Sequence, residues 1–250
     1  MAEAVLGNAL PNLVVIGAMR CGTTAVHRCL DRHPDVAMSR PKELNFFFDT
    51  DHTVGEAWAR GNWARGLRWY AQHFDRLAPV RGESSPGYTS PDHAEAASRM
   101  AAVVPDARLV YLVRDPVQRA LSQYRLHRRD GTETRPLGVA LLDPDSHYLA
   151  RSRYYERLGP FLDHFDPEAI TVLAQEELSA QPQLTLRIVF ELLGVAADRY
   201  PGGCDPWPSA AGRPATRPGG WLRDRFVDAV RDDAERLFAF VGRDFPGWLR

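Results

Sequence analysis

Cysteine and lysine are scarce in this chain of 250 residues, and paired metal-ligand motifs are missing. Its three cysteines (Cys21, Cys29 and Cys204) form no CxxC pair, and its eight histidines form no HxxxH or HExxH pair. The pattern therefore indicates neither a disulfide framework nor a zinc site. We expect no metal cofactor and a reducing, cytoplasmic environment.

Long apolar segments and an excess of either charge are also missing. The N-terminus has no basic region before an apolar core, and no run approaches the roughly eighteen apolar residues of a membrane span. Charged residues make up 25% of the chain, but the net charge is −1. This balance provides no extended field for a nucleic acid or an anionic membrane, so neither partner is expected and any basic site must be local. Nothing in the pattern predicts an oligomeric state.

What the chain does have is enough apolar sequence, 44% of its residues, for one substantial core. Short apolar runs rich in β-branched residues alternate with helical patterns. Five segments are predicted to be strands: 13–16, 36–38, 80–82, 108–113 and 170–173. We therefore predict a single α/β domain over residues 1–250, a three-layer fold with a central parallel sheet and a strand-loop-helix unit similar to a P-loop.

The first predicted strand leads into a glycine-containing loop. The spacing Gly17-x4-Gly22-Thr23-Thr24 matches the P-loop pattern, except that Thr23 stands where the lysine belongs and a positive charge comes earlier, at Arg20. A strand-loop-helix unit points backbone N–H groups and the positive end of a helix at one place, which is typical of a phosphate site. The missing lysine favours a phosphate donor other than a nucleoside triphosphate, although such a turn can also be a simple connection.

The strand predicted over 108–113 ends in a similar way. Asp115 is a good N-cap, Pro116 suits the first helical position, and the apolar spacing that follows predicts a helix. In parallel sheets, ligands bind beyond the carboxyl ends of the strands. The loop after Ile16 and the turn at Arg114 both lie at such ends, so one ligand could contact both.

Together these segments resemble the sulfotransferases that use 3′-phosphoadenosine 5′-phosphosulfate (PAPS), and in particular their heparan-sulfate-type branch. Residues 17–24 resemble the family's 5′-phosphosulfate loop, and 112–122 resemble its 3′-phosphate motif of strand, Arg-Asp-Pro and helix serine. Residues 42–47 resemble the segment with that branch's catalytic glutamate, and 212–213 resemble its late glycine-basic loop. The likeness extends over nearly the whole chain, in the family's order.

The resemblance implies PAPS as co-substrate and PAP as product, with no metal. The positions that it marks as donor-binding are Arg20, Cys21, Gly22, Thr23 and Thr24 for the 5′-phosphosulfate, Arg114 and Ser122 for the 3′-phosphate, and Gly212 and Arg213 for a loop that closes on the nucleotide. It also implies an in-line transfer in which Glu43 removes the acceptor proton, Lys42 orients the transferring group and Arg20 stabilises the leaving phosphate. The expected acceptor is a hydroxyl, or less readily an amine, of a small or glycosylated molecule.

Two departures from the family pattern and one alternative bear on these roles. The family's loop usually has lysine where Arg20 stands, which keeps the charge but changes its geometry. Its Glu-Lys-Ser/Thr-Pro-x-Tyr turn has Ser84 in the lysine position, so a polyanionic sugar acceptor is less expected. Small-molecule members use a histidine as the base, so His27 or His52 is an alternative to Glu43.

A strand-loop-helix phosphate site is also compatible with two other classes of protein. A P-loop nucleoside or sugar kinase would need a lysine after Gly22 and an acidic ligand for magnesium, and neither is evident. A nucleotide-binding protein without catalysis would keep the loops but transfer nothing.

Overall fold

The computed structural model describes residues 9–49, 60–203 and 218–250. Its strands form one sheet in the order β2-β3-β1-β4-β5, and all neighbours are parallel. The strands are β1 (Leu13–Gly17), β2 (Val36–Met38), β3 (Val80–Ser84), β4 (Arg108–Val113) and β5 (Ile170–Ala174). The predicted α/β fold class and its five predicted strands are therefore confirmed.

Helices connect the strands and cover both faces of the sheet. They are α1 (Thr23–Leu30), α2 (Gly66–Ala71), α3 (Ala96–Val103), α4 (Pro116–Arg129), α5 (Leu137–Leu142), α6 (His147–Ala150), α7 (Tyr154–Leu162), α8 (Gln175–Ala180), α9 (Pro182–Leu192) and α10 (Gly220–Val241). Every residue of β1 is buried, as is every residue of β4 after Arg108. A strand that is buried on both faces needs cover on both, which explains its unbroken apolar sequence.

The central position of β1 places two loops next to each other. The register pairs Leu13 with Arg108 and Gly17 with Tyr111, so β1 and β4 end at the same edge of the sheet. Because the chain leaves β1 towards β2 on one side and β4 lies on the other, this edge is the switch point at which open α/β sheets bind ligands.

Three local sequence patterns predict something other than the structure shows. The pattern from Leu149 to Phe165 predicts one helix, but α6 and α7 are separate helices with Arg153 as the N-cap of the second. The pattern that follows β5 and ends at Gly194 also predicts one helix, but it is divided at Gln181, whose backbone is not helical because Pro182 follows it. Glu83 was predicted in a turn but lies in β3, where it is fully buried.

The cysteines differ from the expectation that the chain forms no disulfide framework. Cys29 in α1 is disulfide-bonded, which the odd cysteine count did not indicate, and Cys21 is free and buried.

Among the described residues, none of the helices combines the length and the apolar character that a membrane crossing requires.

Candidate active site

The loop between β1 and α1 leaves a group of backbone N–H donors without acceptors. Arg20 and Gly22 both have positive φ, 69° and 96°, and Gly22 is the N-cap of α1. This geometry leaves the N–H groups of Gly22, Thr23 and Thr24 without an acceptor in the part of the chain that the structure describes. Unpaired first-turn N–H groups at the positive end of a helix form a site for an anion.

Two arginines lie beside these donors. The Arg20 side chain donates from Nε to Ser122 Oγ of α4 at 3.0 Å, and Arg114 donates from Nη1 to the Arg20 carbonyl oxygen at 3.4 Å. Loss of hydration and the nearby Arg114 charge lower the pKa of Arg20. Arginine stays charged at any ordinary pH, so two like charges are held together with the open N–H groups. An anion bound between them would relieve the repulsion.

The buried Tyr154 side chain contacts both the β1–α1 loop and the β4–α4 turn. Its hydroxyl donates to the Arg114 carbonyl at 2.8 Å, lies 3.3 Å from the Arg114 N–H and is 3.6 Å from Cys21 Sγ. Burial raises the pKa of the Cys21 thiol to about 11, so the side chain stays neutral. Cys21 and Tyr154 therefore hold the loops from the protein interior. The sequence around Tyr154 predicts a core residue rather than a site residue, and the side chain is fully buried.

The Lys42–Glu43 pair lies across from the loop. Glu43 is more than a third exposed and has φ of 64°, and its carboxylate forms an ion pair with Lys42. The Lys42 side chain is 16% exposed, and its burial is the main cause that lowers its pKa. The partly buried ammonium orients the carboxylate that faces outwards.

These groups surround one cavity of about 540 Å³. Its wall consists of Met19, Arg20, Gly22, Thr23, Thr24, Ala25, Arg28, Glu43, Pro86, Arg114, Ser122, Leu126, Asp130 and Gln175. The structure thus brings Glu43, Arg20 and the β4–α4 turn to one space. Cys21 and Lys42 lie behind its wall. Gly212, Arg213 and His52 are outside the described residues.

His27, the other candidate base, is not among the residues that line this cavity. It is 8% exposed, and its Nδ1 lies 3.0 Å from the hydroxyl of Ser84. Burial, with a contribution from the Lys42 charge, lowers the pKa of His27 to about 4. Of the two described candidates for the base, Glu43 is therefore the one that lines the cavity. Among the described residues, no three His, Cys, Asp or Glu side chains are grouped as metal ligands.

A buried carboxylate behind the Glu43 turn was missed by the sequence analysis. Glu83 accepts hydrogen bonds from the hydroxyls of Tyr70, Ser85 and Tyr88, at 2.8 Å from Ser85 and 2.7 Å from Tyr88. Burial raises the pKa of Glu83, and the hydroxyls act in the opposite direction. The composition of residues 83–88 predicts a turn. The glutamate and the tyrosine of this segment are the sequence features that could have indicated the buried hydrogen bond between them.

The chain is similar to animal enzymes of heparan sulfate. It is 30% identical to the mouse "Heparan sulfate glucosamine 3-O-sulfotransferase 3B1" over 194 residues, which are 74% of this chain and 46% of that protein. It is 29% identical to the "Bifunctional heparan sulfate N-deacetylase/N-sulfotransferase 1" of Caenorhabditis briggsae over 199 residues, 71% of this chain and 22% of that protein. The alignments therefore span less than half of each relative.

A solved structure matches over almost the full length of both chains. It is a sulfotransferase from Alicyclobacillus acidocaldarius, 26% identical, with a TM-score of 0.77 and coverage of 96% of this chain and 99% of the other. The sequence profile of the sulfotransferase family matches residues 11–199, which include both loops of the cavity and the Lys42–Glu43 pair. The chain belongs to the sulfotransferase family.

Proposed function

We propose that the cavity binds PAPS and that the protein transfers its sulfuryl group to an acceptor hydroxyl, releasing PAP. One observation carries the proposal: Glu43 shares a cavity with three N–H groups that have no acceptor and two arginines that form no ion pair within the described residues. This arrangement supports a donor with an anionic phosphosulfate, and the exposure of the Glu43 carboxylate at the cavity supports its role as the base.

The bound donor would supply an activated sulfuryl group and a phosphate leaving group. In this proposal Glu43 takes the proton as the acceptor oxygen bonds to sulfur, and the bond between sulfur and the phosphate oxygen breaks. The electron pair leaves on the 5′-phosphate. Arg20 and the N–H groups of Gly22, Thr23 and Thr24 neutralise the charge that grows there.

The acceptor side of the proposal favours a small or glycosylated molecule over a long polyanion. Ser84 occupies the position of a basic residue in the heparan-sulfate-type pattern, and here its hydroxyl contacts buried His27 and not the cavity. Arg28 is the third arginine of the wall; it has no donor-binding role in this proposal and forms no ion pair within the described residues. A kinase remains the weaker alternative because Thr23 replaces the P-loop lysine.

Transfer of labelled sulfate from PAPS to a pool of hydroxyl and amine acceptors tests this proposal. We expect labelled product with wild type and about 10²- to 10⁴-fold slower labelling with Glu43→Gln, while PAP raises the melting temperature of both proteins. Stabilisation by ATP with magnesium, and none by PAP, would support the kinase instead. PAP binding with no transfer to any acceptor would support a binding protein without catalysis.

The donor's 3′-phosphate provides a separate prediction for Arg114. A guanidinium can donate two parallel charged hydrogen bonds to a phosphate, and Ser122 on α4 can complete the site. Truncating one member of a desolvated charge pair costs about 2–5 kcal/mol, so wild type should bind PAP about 30-fold or more tightly than AMP. Arg114→Ala should remove most of that preference.

Calorimetric titration of both nucleotides into both proteins measures this difference. Ser98→Ala, a change on α3 outside the cavity wall, serves as the control and should keep the wild-type ratio. An equal loss of PAP and AMP affinity in Arg114→Ala would mean that Arg114 supports only the loop.

A further inference from the structure

The buried carboxylate of Glu83 lies directly behind the turn that carries Glu43. It is fully buried, and it forms no ion pair within the described residues. A buried carboxylate is costly unless hydrogen bonds replace the lost water. Three hydroxyls provide these bonds, from Tyr70, Ser85 and Tyr88. The fold therefore keeps the Glu83 carboxylate buried at this place although its desolvation is unfavourable.

Two of the three hydroxyls also contact the backbone of the turn at residues 43–46, called the Glu43 turn. Ser85 Oγ accepts from the Asn45 N–H at 3.0 Å, and the Tyr88 hydroxyl accepts from the Phe46 N–H at 2.9 Å. A hydroxyl has one proton to donate, and Glu83 receives it in both cases. The carboxylate thus orients both oxygens so that their lone pairs face the turn.

The backbone of this turn needs such support. Glu43 has φ of 64° and Asn45 has φ of 47°, a left-handed region that residues with side chains seldom adopt and that is least favourable for the glutamate. The Glu43 N–H donates to the Ser84 carbonyl at 3.1 Å, and the Ser85 N–H donates to the Val15 carbonyl at 3.1 Å. The turn is thereby connected to β3 and β1 at the edge of the cavity.

We propose that Glu83 is a positioning residue, which holds the Glu43 carboxylate in place through the hydroxyls of Ser85 and Tyr88 and the backbone of Asn45 and Phe46. This role rests on the proposed function, in which Glu43 is the base. Glu83 itself does not reach the substrate. By holding the Glu43 turn rigid, Glu83 keeps the base at a fixed distance from the proposed phosphate-binding loop.

A pair of tyrosine variants isolates this role from general stability. Tyr88→Phe and Tyr70→Phe each remove one buried hydroxyl that donates to Glu83, and each keeps its ring. The Tyr88 oxygen also accepts from the turn, whereas Glu83 is the one hydrogen-bond partner of the Tyr70 hydroxyl among the described residues. We expect Tyr88→Phe to lower kcat about 10-fold or more, since it leaves the Phe46 N–H unpaired. Tyr70→Phe should stay within about threefold of wild type.

The substitution of Glu83 itself completes the test. Glu83→Gln keeps the shape, but its amide nitrogen cannot accept a hydroxyl proton, so we expect a loss in kcat of about 10- to 100-fold with PAP affinity unchanged. In a Glu43→Gln background the same substitution should add little, because it acts through Glu43. Losses that multiply fully, or equal effects of the two tyrosine variants, would overturn the role.

Hydrogen exchange gives a readout that needs no acceptor. The amides of Asn45 and Phe46 should exchange slowly in wild type and in Tyr70→Phe. The Phe46 amide, which donates to Tyr88, should exchange at least 10-fold faster in Tyr88→Phe, and both amides should exchange at least 10-fold faster in Glu83→Gln. Unchanged exchange in the last two proteins would overturn the inference whatever the activity is. Normal turnover of Glu43→Gln would instead overturn the proposed base, and faster exchange would still show that Glu83 holds the turn.

Discussion

Glu43→Gln is expected to lower kcat by about 10²- to 10⁴-fold, which is the usual contribution of a positioned general base. The amide keeps the size of the side chain but cannot take the acceptor proton. Because the carboxylate lies at the cavity wall and is not part of the donor's phosphate sites, PAP affinity should stay within about threefold of wild type. Steady-state kinetics with any acceptor that wild type sulfates, together with calorimetry for PAP, measure both quantities.

The control for this variant is Glu191→Gln, which removes an exposed carboxylate of α9 that pairs with Arg187. We expect its turnover to match wild type. If Glu43→Gln turns over normally while His27→Ala or His52→Ala is inactive, the base is a histidine and the Glu43 assignment is wrong.

Arg20→Ala is expected to lower kcat by about 10²-fold or more, with a smaller loss in PAP affinity. Its guanidinium reaches from the β1–α1 loop to Ser122 at the cavity wall, so in the proposed reaction its charge matters most when the leaving phosphate gains negative charge. Arg20→Lys should recover part of the rate, because the charge returns without the planar donor geometry. Kinetics and calorimetry on the two variants separate transition-state stabilisation from binding.

A nearby arginine provides the matched control for Arg20. Arg129 contributes to the same local field and lowers the pKa of Arg20, but it is 73% exposed and pairs with Asp130. Arg129→Ala should therefore change kcat by no more than about threefold. Equal losses in Arg20→Ala and Arg129→Ala would mean that only the general field contributes, and unchanged kcat in Arg20→Ala would remove its catalytic role.

Much of the fold follows from local sequence because its strands are buried on both faces. The run at 13–16 and the run at 108–113 have no polar interruption, which is how parallel central strands differ from amphipathic ones. Pro116 and Asp115 likewise predict the start of α4, and the structure has Asp115 as its N-cap. The breaks at Gln181 and before α7 were missed because apolar spacing continues across them.

The candidate site was less predictable because its geometry depends on contacts between distant segments. Motif spacing could indicate Arg20 and Arg114, but not that the Arg20 side chain contacts Ser122, which is 102 positions away. Composition predicted a turn around Glu83, since glutamate is rarely buried. Its burial depends on hydroxyls from Tyr70 and Tyr88, whose pairing no local pattern encodes.

A crystal structure of the protein with PAP tests the central claim most directly. We expect the 5′-phosphate within about 2.7–3.2 Å of the N–H groups of Gly22, Thr23 and Thr24. We also expect Arg114 and Ser122 to contact the 3′-phosphate, and Glu43 to face the space beyond the 5′-phosphate. A nucleotide bound in the reverse direction, or outside the cavity between the two loops, would contradict it.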